Sequence, residues 1–232
     1  MLPIAILAGG LATRLGSLTS NVPKSLIEIN GRPFIDWQMD QLVAAGYSYF
    51  VFCLSHKSRL IQSHVGDGTR WGVDIQYSLD GEIQLGTGGA IKNALPILGQ
   101  NFAVIYGDSF LPINFSEVEG EFLESGAQGL MTIFANNDQF DQSNVEYSDG
   151  NIVNYDKVMR NSHMRHIDYG LTYLQTQAFG EFQESNSFDL SDVYSQLLKI
   201  DELRGFEVFE RFYEIGSHQG IADFSEFLRK VI

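Results

Sequence analysis

The stretch L-P-I-A-I-L-A-G-G, residues 2–10, decides the fold class of this chain. It is an uncharged, mostly apolar run that ends in two glycines, which is typical of a strand buried on both faces of a parallel sheet. Glycines directly after such a strand let backbone N–H groups approach phosphate oxygens closely. The opening therefore predicts an α/β protein that binds a phosphorylated ligand at the end of its first strand.

Strands and helices alternate through the first half of the chain, which indicates βαβ units and a mostly parallel central sheet flanked by helices. The predicted strands are Leu2–Ala8, Tyr49–Leu54, Val73–Leu79 and Phe102–Tyr106, and the predicted helices are Phe34–Ala45, Ser58–Val65 and Ala90–Leu95. From about Gly129 the pattern becomes more antiparallel. There we predict strands at Leu130–Ala135, Asn144–Tyr147, Ile152–Tyr155 and Tyr169–Leu174 and helices at Leu190–Ile200 and Ile221–Val231.

The charge balance excludes several classes of partner. The 232 residues hold 15 Lys plus Arg against 29 Asp plus Glu, a formal net charge of −14. Nucleic acids and anionic membranes need a basic surface, so we expect neither as a partner. The one cysteine, Cys53, excludes a disulfide framework and is predicted to be a buried small residue. The apolar N-terminal run is too short for a signal peptide or a membrane span, so we expect a soluble, cytoplasmic protein.

Two cations follow the first strand. Arg14 offers a bidentate fork to a phosphate group, and Lys24, in the dipeptide Pro23-Lys24, offers a compact charge. The segment is neither the G-x-x-x-x-G-K-[ST] of a P-loop nor G-x-G-x-x-G. Glycines, arginine and lysine in this order predict a polyphosphate site.

Three later motifs carry chemistry of the same kind. L-G-T-G-G-A, residues 85–90, follows the third strand and opens a helix, so its bare backbone can lie against a flat base. Asp108 ends the fourth strand, where open α/β sheets bind ligands, and a carboxylate with phosphates is the usual setting for Mg²⁺. Lys157 is the first Lys or Arg after Lys92, at the end of a long acidic interval. Such isolation favours a functional cation.

In this order the motifs resemble those of the sugar-1-phosphate nucleotidyltransferases. That family opens with G-G-x-G-T-R-L and a later P-K, and this chain has G-G-L-A-T-R-L at residues 9–15, with Ala12 in place of glycine. The family's E-K-P is similar to Asp156-Lys157-Val158. Its W-x-D-[IV]-G-[TS] resembles F-Y-E-I-G-S at residues 212–217, with Glu214 as the acid.

The resemblance implies a Rossmann-like, GT-A-like fold in one domain, residues 1–232, with a nucleotide-binding half (1–128) and a sugar-phosphate-binding half (129–232). It implies catalytic roles for Arg14, Lys24, Asp108 and Lys157, and a Mg²⁺ site on Asp108 and Glu214. The implied nucleotide-binding residues are Leu7, Ala8, Gly9, Gly10, Thr13, Gln84, Gly88 and Gly89. The implied sugar-phosphate-binding residues are Asn144, Asp156, Asp168, Tyr169 and Gly170.

The resemblance also implies the reaction: a nucleoside triphosphate and a sugar 1-phosphate give a nucleotide-activated sugar and pyrophosphate by Mg-assisted in-line attack. No protein nucleophile is needed, because the attacking phosphate oxygen is already ionised. The short chain and the form L-G-T-G-G-A resemble bacterial heptose-1-phosphate guanylyltransferases and N-acetylmuramate-1-phosphate uridylyltransferases. The sequence does not choose between guanylyl and uridylyl transfer, or between heptose and hexose acceptors.

Two alternatives stay open at the level of sequence. One is a nucleotidyltransferase of the same fold with a non-sugar acceptor, against which the Pro23-Lys24 spacing and the Asp156-Lys157 motif both argue. The other is a nucleotide-binding regulator without catalysis, which the departures at Ala12 and Glu214 keep open. A homodimer is the default expectation, because dimers are the commonest oligomers.

Overall fold

The apolar strands lie together in one central sheet. In this computed structural model, residues 1–10, 15, 22–55, 57–81 and 83–231 are described. The larger strands are β1 (Ile4–Leu7), β4 (Tyr49–Leu54), β5 (Asp74–Leu79), β6 (Asn101–Tyr106), β8 (Gly129–Ala135), β9 (Val145–Ser148), β10 (Asn151–Tyr155), β11 (His166–Gln175) and β12 (Leu203–Val208). Two-residue strands are β2 (Glu28–Ile29), β3 (Arg32–Pro33), β7 (Ser109–Phe110) and β13 (Tyr213–Glu214).

Six α-helices are found in the described ranges. They are α1 (Phe34–Ala44), α2 (Ser58–Val65), α3 (Gly86–Leu98), α4 (Phe115–Ser125), α5 (Leu190–Lys199) and α6 (His218–Val231). Single 3₁₀ turns lie at Lys24–Leu26 and Thr69–Trp71, and a longer 3₁₀ segment spans Thr176–Phe182. Within these ranges, no helix combines the length and the apolar character that a membrane span requires.

The sheet is parallel in its first half and mixed in its second. In the part of the chain that is described, nine strands pair in the order β12-β8-β11-β6-β1-β4-β5, and the β9–β10 hairpin joins the start of β11. β6, β1, β4 and β5 are parallel to one another, and β11 runs antiparallel to β6 and β8. The predicted mostly parallel sheet with a more antiparallel second half is therefore confirmed.

Both faces of the sheet are covered, which explains the uninterrupted apolar run of β1. Ile4 and Ile6 pack on one side with buried residues of α1, α2 and α4. Ala5, between them, packs on the other side with buried residues of α3 and α5. Because successive side chains of a strand point to opposite faces, every position of β1 must be apolar.

A third apolar cluster holds the end of the chain beside the strand ends. Phe224 of α6 is fully buried, and its ring centre lies 5.3 Å from that of Phe34 and 4.9 Å from that of Phe110. Phe110 belongs to β7, which pairs antiparallel with β13 so that Glu214 faces Ser109. This packing brings residue 214 next to the turn that follows β6.

α4, β12 and the β7–β13 ladder were not predicted from the sequence, and the third helix, predicted to begin at Ala90, begins at Gly86. The remaining predicted helices and strands are present with small shifts at their ends.

A buried amide fixes the turn between β6 and β7. The Gln38 side chain of α1 is fully buried, and its Nε2 donates to the carbonyl oxygens of Tyr106 (2.8 Å) and Ser109 (2.7 Å). Asp108 lies between these two carbonyls in the chain. α1 therefore sets the position of a carboxylate that the sequence predicts to be catalytic.

We expect Gln38→Leu to lower the free energy of unfolding by about 2–5 kcal/mol, because two carbonyls lose their donor in a buried site. Gln41→Leu is the matched control: Gln41 Nε2 donates to the Leu111 carbonyl (2.9 Å), and Gln41 Oε1 accepts from the Leu111 N–H (3.4 Å). That variant should lose about 1–2 kcal/mol, since Gln41 is only half-buried and water can replace part of these bonds. Urea denaturation measures both, and equal losses would contradict this role of Gln38.

Candidate functional site: two adjoining cavities

A cavity of about 500 Å³ opens where β1, β4 and β6 end. Parallel strands place their carboxyl ends at one edge of the sheet, which is where ligands bind in open α/β folds. Its lining contains Leu7, Ala8, Gly9, Gly10, Lys24, Gln84 and Asp108, all predicted from the sequence. The structure therefore brings together predicted residues from three separate parts of the chain.

The strand ends at this cavity approach each other very closely. The N–H of Ala8 donates to the Cys53 carbonyl (3.1 Å), and the N–H of Gly107 donates to the Leu7 carbonyl (2.9 Å). A Cβ at Gly107 would lie 2.8 Å from Ala8 Cβ, closer than such atoms pack. Glycine at 107 is thus a steric requirement of the site. The Ser55 hydroxyl, which the sequence analysis missed, donates to the Gly9 carbonyl (2.5 Å).

Lys24 and Asp108, which line this cavity, form a charged group with Glu214. The Lys24 ammonium donates to Asp108 Oδ2 in a partly buried ion pair. The Asp108 carbonyl accepts from the Ile215 N–H (3.0 Å), which ties β13 to the turn after β6. Residues far apart in sequence thus place one cation and two carboxylates side by side.

The pKa of the Glu214 carboxyl is shifted by burial and by these neighbouring charges. Burial raises the pKa of the Glu214 carboxyl above its ordinary value, and the nearby Asp108 charge raises it further. The Lys24 charge and the N–H of Gly216, which donates to Glu214 Oε2 (3.0 Å), act in the opposite direction. Two carboxylates that repel each other are a fitting site for a divalent cation, because such an ion offsets both charges.

A second cavity, of about 320 Å³, adjoins the first. Its lining includes the predicted residues Asn144, Lys157, Asp168, Tyr169, Gly170 and Glu214. Burial raises the pKa of the Asp168 carboxyl, while the Lys157 charge and the Gly170 N–H lower it. Tyr106 lines both cavities and is therefore part of the wall between them.

Not every predicted residue is among those that line the two cavities. Arg14 and Thr13 fall outside the described residues. The N–H groups of Gly88 and Gly89 donate to the Phe188 carbonyl (3.0 and 3.1 Å), so the backbone donors of these glycines are already occupied.

Asp156 does not line the second cavity. Its Oδ1 accepts from the N–H groups of Val158 and Met159 (both 2.7 Å), which shapes the turn that carries Lys157. Its place in the structure is that of a residue that positions the loop.

Several lining residues were not predicted. Asp80, Ser187 and Asp189 line the first cavity, and Asp141, Gln142 and Arg160 line the second. Asp189 also caps α5 in a reciprocal capping box with Asp192. The pattern D-L-S-D at residues 189–192 is a readable helix start, but nothing in it indicates a cavity.

Cys53 fits its prediction as a buried residue. It is 2 % exposed on the floor of the first cavity, and burial raises the pKa of its thiol to about 12. A thiol in that state is a poor nucleophile.

Comparison with known proteins decides the family. The sequence profile of the family described as Nucleotidyl transferase matches residues 4–144, more than half of the chain. The chain belongs to the nucleotidyl transferase family. The matched segment contains the glycine turn, Lys24, Gln84 and Asp108, which are the predicted residues at the first cavity.

Individual members of the family are similar over different lengths. The D-glycero-alpha-D-manno-heptose 1-phosphate guanylyltransferase of Campylobacter jejuni is 29 % identical over 91 % of this chain and 93 % of that protein. The N-acetylmuramate alpha-1-phosphate uridylyltransferase of Neisseria meningitidis is 39 % identical over 48 % of each chain.

A solved structure shares the fold of this nucleotidyl transferase. HddC from Yersinia pseudotuberculosis, in complex with GMP-PN, superposes with a TM-score of 0.80 at 24 % identity, over 98 % of this chain and 100 % of that one. The agreement confirms the predicted fold class.

We expect Gly107→Ala to lower the free energy of unfolding by about 1–3 kcal/mol, because the added methyl group overpacks the strand ends. Gly120→Ala makes the same chemical change in α4, where no atom of the described residues outside the helix's own backbone lies within 4 Å of the new Cβ. This control should be stabilising by up to about 1 kcal/mol, since alanine favours a helix. Urea denaturation compares the two, and a neutral Gly107→Ala would contradict the close approach.

Proposed function

We propose that this protein transfers a nucleotidyl group from a nucleoside triphosphate to a sugar 1-phosphate, giving a nucleotide-activated sugar and pyrophosphate. The observation that carries the proposal is the junction of the two cavities. Asp108 lines the first, Glu214 lines the second, and Tyr106 belongs to both. Two phosphorylated substrates bound side by side would meet at these carboxylates. The domain would accordingly divide into a nucleotide-binding half, 1–128, and a sugar-phosphate-binding half, 129–232.

The first cavity suits the triphosphate. Gly9 and Gly10 present bare backbone at the end of β1, and Lys24 lines the same cavity. A compact ammonium and free N–H groups neutralise and orient phosphate oxygens. Arg14, from the segment between residue 10 and Lys24, is proposed to bind the same phosphates.

Asp108 and Glu214 are the residues proposed to hold Mg²⁺. Their oxygens are the hard ligands that Mg²⁺ prefers, and two carboxylates leave room for the phosphate oxygens and waters that usually complete its shell. The fit rests on the crowded Asp108–Glu214 pair described above. When bound, Mg²⁺ would withdraw charge from the phosphate under attack. Lys24, now paired with Asp108, would be free to turn toward the phosphates.

The second cavity suits the sugar phosphate. Lys157 supplies one positive charge for its phosphate, and Asn144 and Asp168 supply polar groups for hydroxyls. The Asn144 side chain is itself fixed, because its Oδ1 accepts from the Asp168 N–H (3.0 Å). Such fixed polar groups favour a polyhydroxylated ligand.

Catalysis on this arrangement is positioning and charge neutralisation. A sugar-phosphate oxygen is ionised at neutral pH and needs no base, so the chain must hold two polyanions in line and offset their repulsion. The names of the relatives favour guanylyl or uridylyl transfer to a heptose or hexose 1-phosphate.

A pyrophosphate-release assay tests the function. GTP, UTP, CTP and ATP are each paired with the 1-phosphates of glucose, mannose, heptose and N-acetylmuramate. We expect product from at least one pair, loss of turnover on addition of EDTA and recovery with Mg²⁺. Lys24→Ala and Asp108→Ala should each lower kcat about 100-fold or more, because each removes a charge that faces the reacting phosphates.

Lys230→Ala is the matched control, because it breaks an exposed ion pair with Glu226 (2.7 Å) on α6. Its turnover should match that of the wild type. Near wild-type turnover in Lys24→Ala or Asp108→Ala would overturn the assignment. Binding of a triphosphate without product from any pair would favour a regulator.

A further inference from the structure

Lys157 lies on a turn where the next two side chains are exposed to solvent. Val158 is 88 % exposed and Met159 is 78 % exposed. Lysine on such a turn ordinarily extends into water, where its ammonium is fully hydrated. Lys157 is itself exposed, but part of its side chain also lines the second cavity. The position of its ammonium therefore depends on the contacts that it makes with the cavity wall.

Two aromatic rings provide those contacts. Lys157 Nζ lies 5.7 Å from the ring centre of Tyr106 and 5.9 Å from that of Tyr155. Both distances are within the range of a cation–π interaction, in which the ammonium is attracted to the negative face of the ring. Two rings acting on one ammonium restrict it more than one ring would.

The two rings are rigid. Tyr106 ends β6 and Tyr155 ends β10, so both are fixed by the sheet. The Tyr155 ring packs edge-on against Tyr194 (centres 5.5 Å apart, 81° between planes), and the Tyr194 hydroxyl donates to Thr172 (3.0 Å). The Tyr106 hydroxyl is buried and has no hydrogen-bond partner among the described residues. The hydroxyl of Tyr106 thus has no evident structural role, whereas its ring faces a cation.

A ring has an advantage over a carboxylate as the partner of a phosphate-binding lysine. An ammonium paired with a carboxylate has its charge offset and one donor engaged, as Lys24 has with Asp108. Lys157 also feels a carboxylate, Asp168, but no hydrogen bond or ion pair between the two is found among the described residues. An aromatic face engages none of the three N–H donors of the ammonium, so they remain available. This is the state that a phosphate dianion binds best.

We propose that Tyr106 and Tyr155 are positioning residues that seat the Lys157 ammonium, with its donors free, for the phosphate of the acceptor substrate. The inference rests on the proposed function for the identity of that phosphate. Tyr106 also divides the two cavities, so this seat places Lys157 beside the point where the substrates meet.

The seat itself is tested without substrate. Lysines are reductively methylated with ¹³C, and the Lys157 signal is assigned by its disappearance in Lys157→Arg. Ring currents from two aromatic faces should shift that methyl signal upfield in the wild type and in Tyr106→Phe, and less so in Tyr106→Leu. A Lys157 signal at the position of exposed lysines in the wild type would overturn the proposal.

Kinetics then test the role, with the productive substrate pair from the pyrophosphate assay. Tyr106→Leu should raise the KM for the sugar 1-phosphate roughly tenfold, because it removes one cation–π contact. Tyr106→Phe, which keeps the ring, should restore the wild-type KM. Tyr106 also lines the first cavity, so the KM for the triphosphate is measured in parallel. The rise should be several-fold larger for the sugar 1-phosphate, because that substrate alone is proposed to bind Lys157.

Two controls separate positioning from loss of structure. Tyr173→Leu makes the same change at a buried ring that packs against Phe122 (centres 5.5 Å apart), and no Lys157 contact of that ring is found among the described residues. It should leave the acceptor KM unchanged. In a Lys157→Gln background, Tyr106→Leu should cause no further rise in that KM. Equal effects of Tyr173→Leu and Tyr106→Leu on the acceptor KM, or an undiminished effect in Lys157→Gln, would overturn the proposal. If no pair yields product, the proposed function fails, while the methyl signal still reports on the seat.

Discussion

The ion pair between Lys24 and Asp108, beside Glu214, is the constraint on which the rest of the site depends. Two neighbouring carboxylates at the end of a buried sheet repel each other, and the ammonium compensates for part of that repulsion. Buried contacts in two parts of the fold hold Asp108 and Glu214 in place. Gln38 fixes the turn that carries Asp108, and the Phe224 cluster holds the strand that carries Glu214. In the proposed reaction, a divalent cation held by Asp108 and Glu214 would offset the same charges as the ammonium, and Lys24 would then be free to bind the triphosphate.

The distribution of charge explains how a protein of net charge −14 would bind the two polyanionic substrates proposed for it. The cations of the site lie singly at separate positions, and they differ in their partners. Lys24 is paired with a carboxylate, whereas Lys157 rests on aromatic rings, with its donors available. The acidic surface disfavours nucleic acid, which needs many cations at once, but a small substrate needs charge only where its phosphates lie.

The sequence predicts what local rules determine. β1 and the position of Asp108 at the first cavity could be predicted, because an apolar run ending in glycines indicates a buried strand and a carboxylate at a strand end indicates a ligand site. α4 could not, since four glutamates and Gly120 obscure its buried stripe. β12 contains Gly205, where a Cβ would lie 3.0 Å from atoms of Ile152 and Tyr147 on the β9–β10 hairpin. Glycine is therefore required in this strand by a tertiary contact, which the local sequence pattern does not reveal. Asp189 reaches the first cavity for a similar reason: its loop is held there by contacts distant in sequence.

The central claim is that two substrates bound in adjoining cavities react directly with each other, without a covalent enzyme intermediate. The stereochemistry at the α-phosphorus tests it most directly, with a triphosphate of known chirality that carries sulfur and an oxygen isotope on that atom. A single in-line displacement inverts the configuration, whereas two successive displacements through a protein nucleophile retain it. The account predicts inversion in the nucleotide-sugar product. Retention would contradict it.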